Sequence, residues 1–226
     1  MFETKYSKFL TVLLIIIVVA VIGLGGYLGY SYYKNYKVNN DSDKFVSTFV
    51  EEVGETTPEN KNETTNENAE GNISDNISSA ATGSNNKAKQ TYKGFNVIGT
   101  IEIPKTNITY PVLEDPPTVK NLEVAVTALY PQHAELNKPG NVVIVGHNYR
   151  NGLFFSNNKK LVKGDKVYIT DLNKKRVTYN IYEVFQANKN DTSFYNRDTD
   201  GKMEITLSTC TDASNDQRII VKAVAE

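Results

Sequence analysis

Hydrophobic and polar positions divide the chain into three stretches, each with its own pattern. Residues 9–33 (FLTVLLIIIVVAVIGLGGYLGYSYY) are uncharged and strongly apolar. At about 1.5 Å of rise per residue, ~20 helical residues cross a hydrocarbon core, so this run is long enough to span a membrane. Tyr27, Tyr30, Tyr32 and Tyr33 gather at its C-terminal end, as aromatic side chains do at a membrane–water interface. A cleaved signal peptide calls for a shorter apolar core and a small-residue cleavage site. The length of the run and its bulky tyrosines therefore predict an uncleaved signal anchor. Lys5 and Lys8 before the run balance Lys34 and Lys37 after it. Orientation then follows from the large polar remainder, with residues 1–8 cytoplasmic and the body exported.

Residues 34–91 lose the apolar pattern. The stretch ETTPENKNETTNENAEGNISDNISSAATGSNNKAK is rich in Asn, Glu, Ser and Thr. A segment so poor in aromatic and branched apolar side chains cannot offset the entropy of ordering. The expectation is a flexible extracellular stalk over 34–91, followed by a folded domain over 92–226.

In that domain the apolar residues alternate over short runs. Residues 97–103 (VIGTIEI) predict a strand ended by Pro104, and 108–113 (ITYPVL) a second, with Pro111 marking an edge or bulge. Pro116 and Pro117 open a helical turn over 118–124, 141–145 (NVVIV) is a buried strand, and 153–161 is expected to form a short helix. Strands at 166–170 and 176–186 are joined by a 171–175 hairpin turn, and 204–207 and 218–224 complete the set. Many short strands separated by Gly, Asn and Asp turns predict an all-β sandwich or barrel.

Charge and composition narrow the function classes. The formal net charge is −1, which leaves no electrostatic footprint for nucleic acid. Cys210 is the only cysteine, so no disulfide forms within one chain. A lone thiol in an exported protein is an intermolecular bridge, a reactive nucleophile or an inert buried side chain. Cys210 follows the 204–207 strand, His147 follows the NVVIV strand, and Arg218 opens the last strand. Neighbouring strands would bring the three together. A thiolate is the nucleophile, a histidine exchanges its proton, and an arginine stays charged to steady an oxyanion. His133 lies in a polar loop, YPQHAELNKPG, and has no such placement.

TLSTC at 206–210 resembles the TLxTC motif of sortases, and VGHN at 145–148 resembles the segment around that family's catalytic histidine. RIIVKA from Arg218 matches the family's C-terminal arginine, and IEIPKTNITYPV at 101–112 is similar to its opening strands. The resemblance implies a closed eight-stranded barrel. It implies Cys210 as nucleophile, His147 as acid and base, and Arg218 as stabiliser of the intermediate. Thr209 would support the oxyanion site, and the 187–202 loop, with Asp191, Thr192 and Ser193, would bind substrate. The implied reaction cleaves a Leu-Pro-x-Thr-Gly-like sorting signal after Thr and passes the acyl group to a cell-wall precursor amine. This would happen on the outer face of a bacterial, Gram-positive membrane, and the chemistry calls for no metal or organic cofactor.

No Asp-Pro-aromatic lid motif precedes the barrel; Asp115-Pro116 falls after the second strand and is followed by Pro117. The resemblance is therefore to anchoring sortases of class A, D or E rather than to pilus-building ones. Class B is the alternative, sharing the GHN and LSTC wording but usually carrying a helical insertion where 185–202 predicts a loop. Asp191, Asp198 and Asp200 match the acidic loop through which some class A enzymes bind calcium, although aspartates there equally form turns. The Cys–His pair would also serve a surface-anchored cysteine peptidase that only hydrolyses, and a β-barrel binding module would leave the thiol incidental.

Overall fold

A computed structural model describes residues 3–51 and 90–226. Most of the stalk expectation, residues 52–89, lies outside the described residues.

The core is a mixed β-barrel. A two-residue strand β1 (Thr91–Tyr92) lies on the edge of β2 (Phe95–Ile103). The eight strands β2 to β9 then close on themselves. These are β3 (Ile108–Leu113), β4 (Val126–Tyr130), β5 (Gly140–Val145), β6 (Lys166–Asp171), β7 (Arg176–Asn188), β8 (Met203–Cys210) and β9 (Gln217–Ala225). The order is β2-β3-β4-β5-β8-β9-β7-β6, and β6 returns to pair with β2. Closure removes exposed strand edges. Two pairings, β3–β4 and β5–β8, are parallel; each therefore needs a long crossover, and these crossovers carry most of the loop chemistry.

Alternation along the strands decides what fills the barrel. Ile101 and Ile103 of β2, Val142 and Ile144 of β5, Ile205 and Leu207 of β8, and Ile219, Val221 and Ala223 of β9 share one buried cluster. Each Val, Ile or Leu among them contributes roughly 1.5–3 kcal/mol of burial. The intervening positions Val143 and Ile220 face outward, under Ala187 and Phe194, and carry the β7–β8 connection on the barrel's outer wall. Gly99 in β2 sits at a register shift. A Cβ there would lie 2.4 Å from the Thr170 carbonyl oxygen, so only glycine lets β2 and β6 close.

The expected strands are present with longer ends; β8, for example, runs on to include Cys210 itself. Pro111 of β3 pairs with Thr100 on β2, and the parallel pairing to β4 begins only at Val112, so the proline occupies the free part of that edge. The helical turn is α2 (Val119–Leu122), capped reciprocally by Thr118 and Asn121. Two features differ from expectation. β4 was not expected, and 153–161 forms only a 3-10 turn over Asn158–Lys160. The consecutive Leu153, Phe154 and Phe155 are all buried, a run with no polar face and thus no amphipathic helix.

The larger departure is α1, a helix over Glu3–Glu51. It continues well beyond the apolar run, so residues 34–51 are helical where a stalk was expected. Side chains of the run, from Phe9 to Leu28, are exposed, whereas Ser42, Val46 and Phe49 are buried against the barrel. Tyr110 donates its hydroxyl to Asn39 Oδ1 at 2.6 Å, and Lys93 pairs with Asp41 at 3.1 Å. Phe45 meets the Tyr92 ring at 5.0 Å, and Lys174 donates to the Phe49 carbonyl at 2.6 Å. Val38, Phe45, Phe49 and Val50 form the stripe that makes this possible.

Candidate active site

Strand registers bring the predicted residues to one end of the barrel. In the antiparallel β8–β9 ladder Cys210 is directly opposite Arg218. In the parallel β5–β8 ladder Val145 is opposite Ser208. Past that pair the Gly146 N–H donates to the Ser208 carbonyl at 3.3 Å, so His147 leaves the end of β5 alongside the end of β8. Side chains two apart on a strand share a face, so Cys210 follows Ser208 outward, with Arg218 opposite it on the same face. Cys210 and Arg218 thus share the outer face and His147 follows the end of the neighbouring strand, each half-buried.

Two hydrogen bonds lock the His147 segment to β8. Thr209 Oγ1 donates to the Gly146 carbonyl at 2.8 Å, and Asn148 Nδ2 donates to the Cys210 carbonyl at 2.9 Å. Asn148 Nδ2 also reaches Asp212 Oδ1 at 2.8 Å, and Lys159 pairs with the other oxygen of that carboxylate. The Lys159 and Asn148 bonds hold the Asp212 carboxyl below the usual range. Gly146 is closely packed: a Cβ would come within 2.9 Å of both Phe155 and Val126, so the turn leading to His147 admits no side chain.

His147 itself is flanked by Tyr149, their ring centroids 4.7 Å apart. Burial pushes its imidazole below the ordinary 6.5, and the Glu123 carboxylate partly offsets this. The ring is therefore neutral at neutral pH and free to accept a proton. Arg218 Nη1 donates to the Asn215 carbonyl at 2.6 Å and to the Gln217 carbonyl at 3.3 Å. Only Nη1 is so engaged among the described residues, which leaves Nη2 and Nε for an anionic ligand.

The remaining predicted residues lie differently. Strand alternation turns the Thr209 side chain inward, away from Cys210, so its hydroxyl braces Gly146 rather than facing the thiol's groove. Asp191 Oδ1 accepts from the Ser193 backbone at 2.9 Å, forming a turn, and Thr192 and Ser193 are exposed. The Asp198 carboxylate likewise accepts from the Asp200 backbone at 2.8 Å. The loop carrying these residues is tied down nearby: Asn141 Nδ2 donates to the Phe194 and Tyr195 carbonyls at 3.0 and 2.9 Å. It also runs beside Arg218, since Lys189 donates its backbone N–H to the Asp216 carbonyl at 2.8 Å. No helix interrupts 189–202. Asn148, Tyr149 and Glu123 were not singled out in the sequence; Asn148 lies within VGHN, so its adjacency to His147 was the available signal.

A sortase domain model matches residues 101–226. The chain belongs to the sortase family. It is 35% identical over 127 residues to sortase A of Bacillus anthracis, covering 55% of this chain and 58% of that protein. It is 30% identical over 154 residues to sortase A of Streptococcus agalactiae, covering 66% of this chain and 60% of that one. The match thus spans somewhat over half the length of these relatives. Among solved structures, the Clostridium perfringens Sortase D5 transpeptidase superposes with a TM-score of 0.51 at 32% identity, covering 57% of this chain and 79% of its own. Sortase A from Corynebacterium diphtheriae does so with a TM-score of 0.52 at 28% identity, covering 58% and 61%. The sortase barrel is thereby established as the fold, and the similarity falls on the segment that holds Cys210, His147 and Arg218.

Proposed function

We propose that this sortase is a membrane-anchored cysteine transpeptidase acting on proteins with a Leu-Pro-x-Thr-Gly-like sorting signal. The observation that supports the reading is Cys210 opposite Arg218 in the β8–β9 register, with His147 two residues past the end of β5, the strand paired with β8. His147, neutral because it is half-buried, takes the thiol proton. The Cys210 sulfur attacks the carbonyl carbon after the signal's Thr, and Arg218 steadies the oxyanion with its unengaged donors. Collapse breaks the C–N bond, and His147 returns the proton to the departing amine. An incoming amine then replaces sulfur at the thioester carbonyl. The 187–202 loop, with Asp191, Thr192 and Ser193, walls the approach on the side of Arg218.

α1 supplies the anchor. Among the described residues it is the one helix long and apolar enough to cross a membrane, and its exposed apolar side chains suit lipid. The enzyme body then faces the outside, where a cell-wall precursor offers the acceptor amine.

The test is mass spectrometry of the full chain in detergent with a signal peptide, with and without a primary amine. The expected results are an adduct on Cys210 with peptide alone and a new amide on the signal's Thr when amine is present. Free acid under both conditions would assign the chain to hydrolysis instead.

A further inference from the structure

A cleft of 550 Å³ lies between α1 and the 149–154 loop, bridged where Asn151 Nδ2 donates to Asn35 Oδ1 at 3.2 Å. Its helix wall presents Ser31, Lys34 and Asn35; the barrel side presents Glu123, Tyr149 and Asn151. The volume lies in the range of small-molecule sites. We propose that this cleft is the acceptor site, with the Glu123 carboxylate holding the ammonium group of the incoming primary amine. The inference rests on the acyl-transfer reading above and names where its second substrate binds.

Three observations point there. First, Tyr149 lines the cleft and stacks its ring 4.7 Å from the ring of His147. An occupant therefore lies one side chain away from the group that must take its proton. Second, Glu123 is exposed, and no ion pair or hydrogen bond engages its carboxylate among the described residues. Its charge is felt at both Tyr149 and His147, adding to the burial that raises the Tyr149 pKa and opposing the burial that lowers the His147 pKa. Third, the charges across the cleft are opposed, with Lys34 on the helix wall and Glu123 on the barrel wall. A cation entering between them is turned toward Glu123, and so toward Tyr149 and His147. The helix wall also begins where the apolar run ends, so the cleft opens at the membrane surface, on the path of an acceptor held in the bilayer.

The chemistry balances without a further reactant. The ammonium sheds one proton to water on leaving Glu123. The amine nitrogen bonds to the thioester carbonyl carbon while the C–S bond breaks, the electron pair leaving with the Cys210 sulfur. The second proton passes to His147, which returns it to sulfur and restores the thiol.

The experiment compares two nucleophiles on the full chain in detergent: triglycine, whose amine is mostly cationic at pH 7, and hydroxylamine, which is mostly neutral. The readout is the ratio of their kcat/KM values for amide or hydroxamate formation, so that any effect on acylation cancels. Glu123→Gln should lower the triglycine-to-hydroxylamine ratio about tenfold, and Glu123→Lys should lower it further. An unchanged ratio in both variants, with both products still formed, overturns the acceptor site while leaving transpeptidation intact. Absence of any adduct or transfer product in the unmodified chain overturns both readings.

Discussion

Cys210 and Arg218 face each other across the β8–β9 ladder. Directly opposed residues hold their Cβ atoms about 4.5–5.5 Å apart on one face, so the base of the Arg218 side chain is fixed beside Cys210 by the strand ladder rather than by a mobile loop. Cys210→Ala should abolish adduct formation, since the chain has no other thiol. Arg218→Ala should lower kcat/KM on the order of 10²-fold, as loss of an oxyanion donor does. Arg218→Lys should recover only part of this, because an ammonium lacks the planar fork. Turnover in Arg218→Ala within about twofold of the unmodified chain would remove Arg218 from the mechanism.

His147 gives the site a pH signature. Burial disfavours its charged form, so its folded pKa lies below the unfolded value of ~6.5. The unfolded chain then binds more protons than the folded one as pH falls through that region. The stability tied to His147 is present above the unfolded pKa and is lost as pH drops toward the folded one. NMR titration of the imidazole in Cys210→Ala should give a midpoint below that of free imidazole, and Glu123→Gln should move it lower still. A midpoint above the free value would contradict the burial argument.

Asn148 acts by holding His147 in place. Its amide bridges the Cys210 carbonyl and the Asp212 carboxylate. Asn148→Ala should cost about 1–2 kcal/mol of stability and lower kcat more than it raises KM for the signal peptide. Asn148→Asp should not rescue, because a carboxylate cannot donate to a carbonyl. Equal effects on kcat and KM would reduce Asn148 to a structural brace.

The docked part of α1 makes a separable contribution to the barrel. Phe49 is 2% exposed, against Tyr92 and Leu113 among others. A fragment over 90–226 should still fold, because β2 to β9 close without the helix. It should nevertheless be less stable than one over 34–226 by ~2 kcal/mol, or roughly 6 °C in Tm. Phe49→Asp in the longer fragment should erase that difference. Equal melting of the two unmodified fragments would show that the contact contributes nothing.

Much of the barrel was legible as alternation. Ile205 and Leu207 against Thr206 and Ser208 mark β8 and leave Cys210 on the outer face, and VIGTIEI and NVVIV mark β2 and β5 as plainly. β4 was not legible, because Val126–Tyr130 follows α2 with no turn signal and pairs in parallel with β3 through only Val112 and Leu113. The helix over residues 34–51 is hidden in the sequence for a different reason. Composition there is polar, but Val38, Phe45, Val46 and Phe49 recur at helical spacing, and position rather than abundance decides which face is buried. Thr209 shows the limit of adjacency: one residue from Cys210 along the strand, its side chain lies on the other side of the sheet.

Under the proposed anchoring, α1 passes from the apolar run directly onto the barrel wall, so no swivel intervenes between bilayer and catalyst. With the helix embedded, the enzyme gives up independent tumbling and keeps only sliding in the plane and spinning about the membrane normal. Its encounters become two-dimensional, at a fixed height and facing. A partner confined to the same leaflet would meet the cleft far more often than one arriving from solution, and lipid thickness would tune that meeting by raising or sinking the rod.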